Sequence, residues 1–227
     1  MKILIFMSSL LEMKGILSSF HEDIDESQRL FSKNIGSHII DFYHSDPGIF
    51  SLSYYLTRRL QEVDYDLVIN AGIAGSFNEK LSKGTVVQVG SDCFADIGVE
   101  ENGIFKDLFN MGLIDSNSFP FRAGNLHEDA GTFATVLSEL PRVESVTVNR
   151  IISDTESMRK FKEAYQPDIE TMEGAAFFYV CLMERKKCIQ LRSVSNFVGE
   201  RDKNKWDIKG SLTALGEQIN ILLNDLQ

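Results

Sequence analysis

Basic residues are scarce in this chain: its 227 residues include 23 Lys and Arg against 33 Asp and Glu, which gives a net charge of −10. The calculated isoelectric point lies near 4.9. A protein that grips the phosphate backbone of a nucleic acid needs clustered Lys and Arg, and the sequence shows no such cluster. The charge balance therefore argues against DNA or RNA as a partner.

Cysteine is also rare, with three residues, Cys93, Cys181 and Cys188. They are odd in number and lack metal-ligand spacing, and the last two lie in or beside an apolar segment, where a thiol behaves as a small hydrophobe. The four histidines show no paired spacing for a metal either. We therefore expect no zinc or other metal, no cofactor, and a reducing, cytoplasmic setting.

Long hydrophobic runs are missing, since no segment approaches the roughly 20 apolar residues that a membrane-spanning helix requires. The apolar start, residues 1–7, ends at Ser8 and Ser9, and no small-residue cleavage site follows a longer apolar core. This pattern predicts a buried first strand rather than an export signal. It predicts no membrane partner.

The residues that are present suit one globular domain. At 43% hydrophobic and 25% charged, a chain of this length can bury a full core. There is no internal repeat, low-complexity tract or linker, so we predict a single domain spanning residues 1–227.

Short aliphatic segments alternate with helical patterns along the chain. The predicted strands are 3–7, 67–70, 85–89, 146–148 and 189–194. The predicted helices are 52–63, 172–183 and 212–226. This order predicts an α/β fold in three layers, with a central mixed sheet flanked by helices and a ligand site at the carboxyl ends of the strands.

Polar segments follow three of these strands. Glu12 comes shortly after the first strand, where it is either a site residue or an ordinary exposed residue of a first helical turn. In the segment 70–76, "NAGIAGS", two glycines permit positive φ angles and close approach to a ligand, but the segment by itself favours a tight structural turn. The spacing is not a dinucleotide-binding fingerprint. The segment 195–202 follows the last strand.

The stretch "DIETMEGAA" places Glu173 before three residues with very small side chains. Apolar residues then recur at helical spacing, which predicts a buried face formed by Met172, Ala175, Ala176, Tyr179, Val180 and Met183. Glu173 either accepts hydrogen bonds from a polar ligand or only complements the helix dipole. Taken alone, the stretch favours the second interpretation, in which Glu173 complements the helix dipole and the alanines serve packing.

Taken together, these segments resemble a known family. Glu12 after the first strand, "NAGIAGSF", "TMEGAAFFYVC" and "RSVSNFVGERD" resemble the nucleoside phosphorylase and nucleosidase superfamily, in its methylthioadenosine/adenosylhomocysteine nucleosidase-like branch. Within it, "DLVINAGIAGSF", "GTVVQVGSDCFADIGVE" and "SVSNFVGERDKNKW" are similar to the futalosine hydrolase family. The resemblance covers nearly the whole chain. It implies a nucleoside phosphorylase-like fold and removal of hypoxanthine from futalosine in menaquinone biosynthesis.

The resemblance also implies roles for individual residues. Met172 would pack on the ribose and Glu173 would accept hydrogen bonds from its hydroxyls, while Gly174 would keep the approach clear. Glu12 would be the general base that activates water. Ala74 and Gly75, in the loop after the second strand, would line the water and ribose side of the site. The superfamily further implies a homo-oligomer, often a dimer.

One departure from the adenine-specific relatives bears on the choice of base. Those enzymes have Ser-Asp where this chain has Ser195-Asn196. An amide donates and accepts at once, which suits a 6-oxopurine such as hypoxanthine. Because an amide cannot deliver a proton, either hydrogen bonding to the base suffices or another acid acts, with Asp202 as the nearest candidate. Phe197 is a candidate for stacking on the base.

The superfamily carries out both hydrolysis and phosphorolysis, and the sequence favours hydrolysis. Phosphorylases surround phosphate with arginines, whereas Ser8, Ser9 and Glu12 follow the first strand here. Arg150 is a candidate for binding the substrate carboxylate, although a surface arginine is the simpler interpretation. Another purine nucleosidase or phosphorylase, acting on inosine or methylthioadenosine, and a catalytically silent nucleoside-binding protein remain as alternatives.

Overall fold

The computed structural model describes residues 1–151 and 154–226. The strands are β1 Lys2–Met7, β2 Leu30–Ile35, β3 His38–His44, β4 Leu67–Ser76, β5 Val86–Phe94, β6 Gly98–Glu101, β7 Ile104–Asp107, β8 Leu126–His127, β9 Arg142–Thr147, β10 Ile169–Thr171 and β11 Cys188–Phe197. The α-helices are α1 Leu10–Ser18, α2 Ile49–Glu62, α3 Thr155–Tyr165, α4 Gly174–Met183 and α5 Ile208–Asp225. Short 3₁₀ turns span Gly131–Leu137 and Lys203–Lys205.

The central sheet is mixed. In the described residues its order is β10-β9-β5-β11-β4-β1-β3-β2, with the short β8 added against β5. The inner pairs β4 with β1 and β4 with β11 are parallel, whereas β11 with β5 is antiparallel. Strand β10 pairs with β9 and also with β4, so the sheet curls back on itself at one edge.

Helices cover both faces of the sheet because the central strands bury both of their side-chain rows. On β1, Leu4 and Phe6 pack with α2 and α4, whereas Ile3 and Ile5 point the other way and pack with α1 and α5. All four side chains are fully buried. The predicted α/β class, in three layers with a central mixed sheet flanked by helices, is confirmed.

The predicted strands and helices are all present, but β4 and β11 extend further than expected. Both run on through the polar segments 70–76 and 195–197, because the parallel pairing between them continues to Ser76 and Phe197. The segment 70–76 is therefore strand, and neither of its glycines has a positive φ angle. The expectation of a turn there was wrong.

The expected buried face of α4 is only partly correct. Ala175, Ala176 and Val180 are buried, but Met172, Tyr179 and Met183 are exposed, and Phe177 and Phe178 are buried instead. Since nearly every residue of this helix is apolar, the sequence pattern alone could not identify its outer side. Across the described residues, no helix combines the length and the apolar character needed to cross a membrane.

Candidate active site

One cavity opens at the carboxyl ends of β1, β4 and β11. Its volume is about 200 Å³, and its lining includes four carboxylates, an amide and a short run of strand backbone. Six of the predicted site residues line it: Glu12, Ala74, Gly75, Met172, Glu173 and Asn196. They come from separate parts of the chain, and the fold brings them together here.

The carboxylate of Glu12 is fixed from three sides. Ser9 caps α1, and its hydroxyl accepts the Glu12 amide at 3.2 Å and donates to Glu12 Oε2 at 2.9 Å. The backbone amide of Ser8 donates to the same oxygen at 3.1 Å. Glu12 Oε1 accepts the amide of Ile73, in β4, at 3.1 Å. The Ser-x-x-Glu spacing is that of a capping box, but here the carboxylate also reaches across to the sheet.

Glu173 is the residue immediately before α4, and it is 8% exposed. Its Oε1 accepts a hydrogen bond of 2.7 Å from the backbone amide of Gly48. Burial, and then the nearby charge of Glu12, raise the pKa of the Glu173 carboxyl to about 7, although the Gly48 amide and Arg192 act in the opposite direction. This carboxyl therefore lies close to its titration point at neutral pH.

Arg192, in the middle of β11, is a site residue that the sequence interpretation missed. It is 2% exposed, and its Nε donates to Gln190 Oε1 at 2.9 Å while Nη2 donates to Asn70 Oδ1. Burial lowers the pKa of its guanidinium, and the charges of Glu12 and Glu173 oppose that effect. A lone cation in a strand of otherwise neutral, buried residues was the signal that could have identified it.

Gly72 is the reason that Glu12 and Arg192 can be neighbours. A Cβ added at this glycine would lie 2.5 Å from Arg192 Nη1 and 2.6 Å from Glu12 Oε1. No side chain fits there without moving one of the two charged groups. The glycines of "NAGIAGS" therefore provide space for neighbouring side chains, and not the positive φ angles that we expected.

At the other end of the cavity, Asn196 lies where β11 shifts register against β4, between Val194 and Asn196. Its Oδ1 accepts the hydroxyl of Ser195 at 2.7 Å, and its Nδ2 donates to the carbonyl of Phe197 at 3.1 Å. The side chain is 8% exposed. One amide hydrogen and part of the oxygen's accepting capacity remain available to a ligand.

Glu170 also lines this end, and the sequence interpretation did not single it out. It lies on β10 opposite Gly75 of β4. A Cβ added at Gly75 would lie 3.3 Å from Glu170 Cγ and 3.4 Å from Asn196 Nδ2, so the two side chains flank this glycine. Burial raises the pKa of the Glu170 carboxyl to about 7, against the charge of Arg201.

Three predicted site residues do not line the cavity. The Asp202 carboxylate accepts the backbone amide and the side-chain Nδ2 of Asn204 at 3.1 and 3.0 Å, which caps a 3₁₀ turn. Arg150 is exposed, and Phe197 is partly buried outside the lining. In their place, Arg201 and Trp206 line the cavity. Trp206 Nε1 donates to the carbonyl of Glu200 at 2.9 Å, which holds this loop together.

Gly174 does not face the ligand side as expected. A Cβ there would collide with the buried side chains of Asp92 and Gln190. The first amides of α4 are taken up by threonines, since Gly174 donates to Thr171 Oγ1 at 3.1 Å. Ala175 donates to Thr147 Oγ1 at 2.7 Å. The small residues after Glu173 therefore serve a buried polar network beneath the cavity.

Known proteins are similar to this chain in sequence and in fold. The model of the phosphorylase superfamily matches residues 51–226. The chain is 30% identical over 157 residues to a futalosine hydrolase of Thermus thermophilus, covering 67% of each chain. It is 27% identical over 160 residues to a futalosine hydrolase of Streptomyces coelicolor, covering 70% of this chain and 65% of the relative. The matches thus span about two thirds of these relatives.

Among solved structures, a mutant of Helicobacter pylori MTAN with 5′-methylthioadenosine in its active site superposes with a TM-score of 0.81. It is 17% identical and covers 99% of this chain and 98% of its own, so the likeness extends over the whole fold. On the family model, which matches most of its length, the chain belongs to the phosphorylase superfamily.

Proposed function

We propose that this chain is a futalosine hydrolase. It cleaves the N-glycosidic bond of futalosine with water, releasing hypoxanthine and dehypoxanthine futalosine. Both sequence relatives described above are futalosine hydrolases. The observation that carries the proposal is the placement of Glu12, Glu173 and Asn196 in one cavity.

Glu173 and Met172 form the sugar end of the proposed site. Met172 is partly exposed into the cavity, where it offers an apolar surface to the ribose. The Glu173 carboxylate accepts hydrogen bonds from the ribose hydroxyls. Cleavage of the glycosidic bond builds positive charge on the sugar, and a buried carboxylate beside that charge stabilises the transition state.

Glu12 acts as the general base on the attacking water. Its two oxygens are oriented by the amides of Ser8 and Ile73, so the carboxylate is positioned before substrate arrives. The buried Arg192 guanidinium lies beside it across Gly72 and supplies a compensating positive charge. A base held in this way accepts the proton of water as the water oxygen bonds to the sugar.

The charge of the lining favours water over phosphate as the nucleophile. Four carboxylates line the cavity, Glu12, Glu170, Glu173 and Glu200. Within residues 1–151 and 154–226, Arg201 is the one Lys or Arg in that lining. A phosphate dianion would be repelled by these groups, whereas a neutral water molecule would not.

Asn196 supports a 6-oxopurine as the leaving base. Its side chain lies in the lining with one N–H and part of its oxygen unused by the protein. An amide can therefore donate to and accept from hypoxanthine at the same time. Phe197 and Arg150 stay as predictions for base stacking and carboxylate binding. Asp202, the sequence-based candidate for proton donation, lies outside the lining with its carboxylate bound by Asn204.

The wider setting of the enzyme is part of the proposal. Futalosine as substrate assigns the chain to menaquinone biosynthesis, and the cysteine content favours a cytoplasmic location. We also infer a homo-oligomer, because the adjoining helices α2 and α4 both carry exposed apolar side chains, namely Phe50, Tyr54, Tyr179 and Met183. Exposed apolar side chains on neighbouring elements are typical of a protein interface.

The test is purine release from futalosine, inosine and methylthioadenosine in phosphate-free buffer, followed by addition of phosphate. Release from futalosine alone, unaffected by phosphate, supports the proposal. Release that requires phosphate would identify a phosphorylase, and release from methylthioadenosine in preference to futalosine would identify a different nucleosidase. No release from any of the three would favour a nucleoside-binding protein.

A further inference from the structure

The proposed reaction lacks a proton donor for the departing base. When the glycosidic bond breaks, its electron pair stays on the purine, and a purine anion is a poor leaving group unless it is protonated. Asn196 is an amide and has no proton to give. Asp202 is engaged with Asn204 and lies outside the cavity lining.

Glu170 occupies the position that a proton donor needs. Its strand, β10, pairs with both β9 and β4, which sets Glu170 opposite Gly75 and next to Asn196. Because Gly75 lacks a side chain, nothing at this position separates Glu170 from Asn196. A base held by Asn196 therefore lies within reach of the Glu170 carboxyl. Glu12 lies at a different glycine, Gly72.

The Glu170 carboxyl is not used by the rest of the protein. Among the described residues, no hydrogen bond or ion pair to its side-chain oxygens is present, in contrast to Glu12 and Glu173. Its neighbour Glu200 differs too, because Lys205 lies 3.2 Å from its carboxylate. A carboxyl that lines a cavity without a protein partner is available to a ligand.

The surroundings also shift the titration of this group towards neutral pH. Its pKa is raised to about 7 by burial, and Arg201 opposes that rise. Strand β9 places the apolar Val146 beside it, and β4 places Gly75 opposite. On the loop after β11, Arg201 and the Lys205-paired Glu200 are the charged groups in the lining. A carboxylic acid with such a pKa can both hold and release a proton at the working pH.

We propose that Glu170 is the general acid that protonates the departing purine. As the bond between the ribose C1′ and the purine nitrogen breaks, its electrons move onto the purine and a ring nitrogen takes the Glu170 proton. The water oxygen bonds to C1′, and the released proton passes to Glu12. Proton exchange with solvent restores both carboxyl groups, so water is the only co-reactant. This inference rests on the proposed function.

The decisive experiment compares wild type and Glu170→Gln on two substrates, futalosine and its N7-methylated derivative. Methylation puts a positive charge on the purine, so the base departs without being protonated. We expect kcat for futalosine to fall ~100-fold and kcat for the methylated substrate to fall less than about fivefold, since positioned acids contribute at least ~100-fold. Glu217→Gln, on the exposed side of α5, is the matched control and should match wild type on both.

A merely structural role for Glu170 would lower both rates equally, and that result would overturn the proposal. So would an unchanged rate on futalosine. The dependence of kcat/KM on pH adds a second readout: the wild-type value should fall above about pH 7, and the fall should vanish in Glu170→Gln. Persistence of that fall would also overturn the proposal. If wild type releases no purine from futalosine, the proposed function itself is refuted.

Discussion

Glu12 of α1 accepts a hydrogen bond from the backbone amide of Ile73 in β4, at 3.1 Å. This contact joins α1 to β4 at the edge of the sheet where the cavity opens. The carboxylate is thereby held in one orientation, with Ser8 and Ser9 on its other oxygen. A general base fixed in this way loses little entropy when substrate binds.

Replacing Glu12 by Gln should abolish most of the turnover. The amide keeps the size of the side chain but cannot accept a proton from water, and positioned bases contribute ~100-fold or more. We expect kcat for hypoxanthine release to fall by at least ~100-fold. Turnover within about threefold of wild type would show that Glu12 is not the base.

Replacing Asn196 by Asp should move base preference towards 6-aminopurines. A carboxylate accepts from an exocyclic amine but repels the carbonyl oxygen of hypoxanthine. We expect the ratio of kcat/KM for futalosine to that for its 6-amino analogue to fall about tenfold, which corresponds to about 1.4 kcal/mol. An unchanged ratio, with activity retained, would show that Asn196 does not determine the preference for the base.

Gly72→Ala should destabilise the protein more than Gly75→Ala. The added Cβ at position 72 would lie 2.5 Å from Arg192 Nη1, so a buried charge has to move. At position 75 the nearest atom, in Val198, is 3.2 Å away and needs only a small adjustment. We expect a loss of about 1–3 kcal/mol in unfolding free energy for Gly72→Ala and less for Gly75→Ala. Urea unfolding of both variants checks this order.

The Glu173 carboxyl should make the protein less stable as pH rises. Its pKa in the folded state, about 7, is above the ordinary glutamate pKa of 4.5, so the folded protein binds this proton more tightly than the unfolded chain does. Its contribution to stability is fully present below pH ~4.5 and is lost as pH rises through about 7. Glu173→Gln should therefore unfold at a higher temperature than wild type at pH 8.

The test compares the free energy of unfolding of Glu173→Gln with that of wild type at pH 4 and at pH 8. The gain in unfolding free energy should be about 1–3 kcal/mol larger at pH 8 than at pH 4. An equal difference at both pH values would contradict the raised pKa. The same variant should lose turnover, since an uncharged amide does not stabilise the positive sugar.

Charge placed on the outer side of α2 should weaken the inferred oligomer. Phe50 is 77% exposed and Tyr54 is 60% exposed, so their replacement by Asp does not disturb the core. We expect Phe50→Asp and Tyr54→Asp to lower the mass measured by sedimentation. Ile221→Asp is the control, because Ile221 is exposed on α5, on the opposite side of the sheet. A wild-type chain that sediments as a monomer would contradict the inferred assembly.

Much of the fold was predictable because buried strands and helices leave a local pattern in the chain. The segment 52–63 showed helical periodicity and forms α2, and the segments before Ser8 and Asn70 showed aliphatic runs and form strands. The extension of β4 through Gly72 and Gly75 was not predictable in this way, since it depends on pairing with β11, far away in sequence.

The residues of the candidate site likewise fall into those that the sequence could predict and those that it could not. Glu12, Glu173 and Asn196 stand beside recognisable strand or helix ends, and the cavity contains all three. Arg192 and Glu170 were missed because their positions depend on tertiary contacts, with Gly72 in one case and with Gly75 in the other. Asp202 belongs to the predicted polar segment 195–202, but its carboxylate is taken by Asn204.

The double pairing of β10 has an evolutionary consequence. The residues that would meet the purine, Glu170 and Asn196, flank Gly75, whereas the pair at the water end, Glu12 and Arg192, meets at Gly72. Substitution at position 196 can alter the preferred base without disturbing the other end. Selection can therefore diversify leaving-group preference within this scaffold while sugar cleavage is preserved.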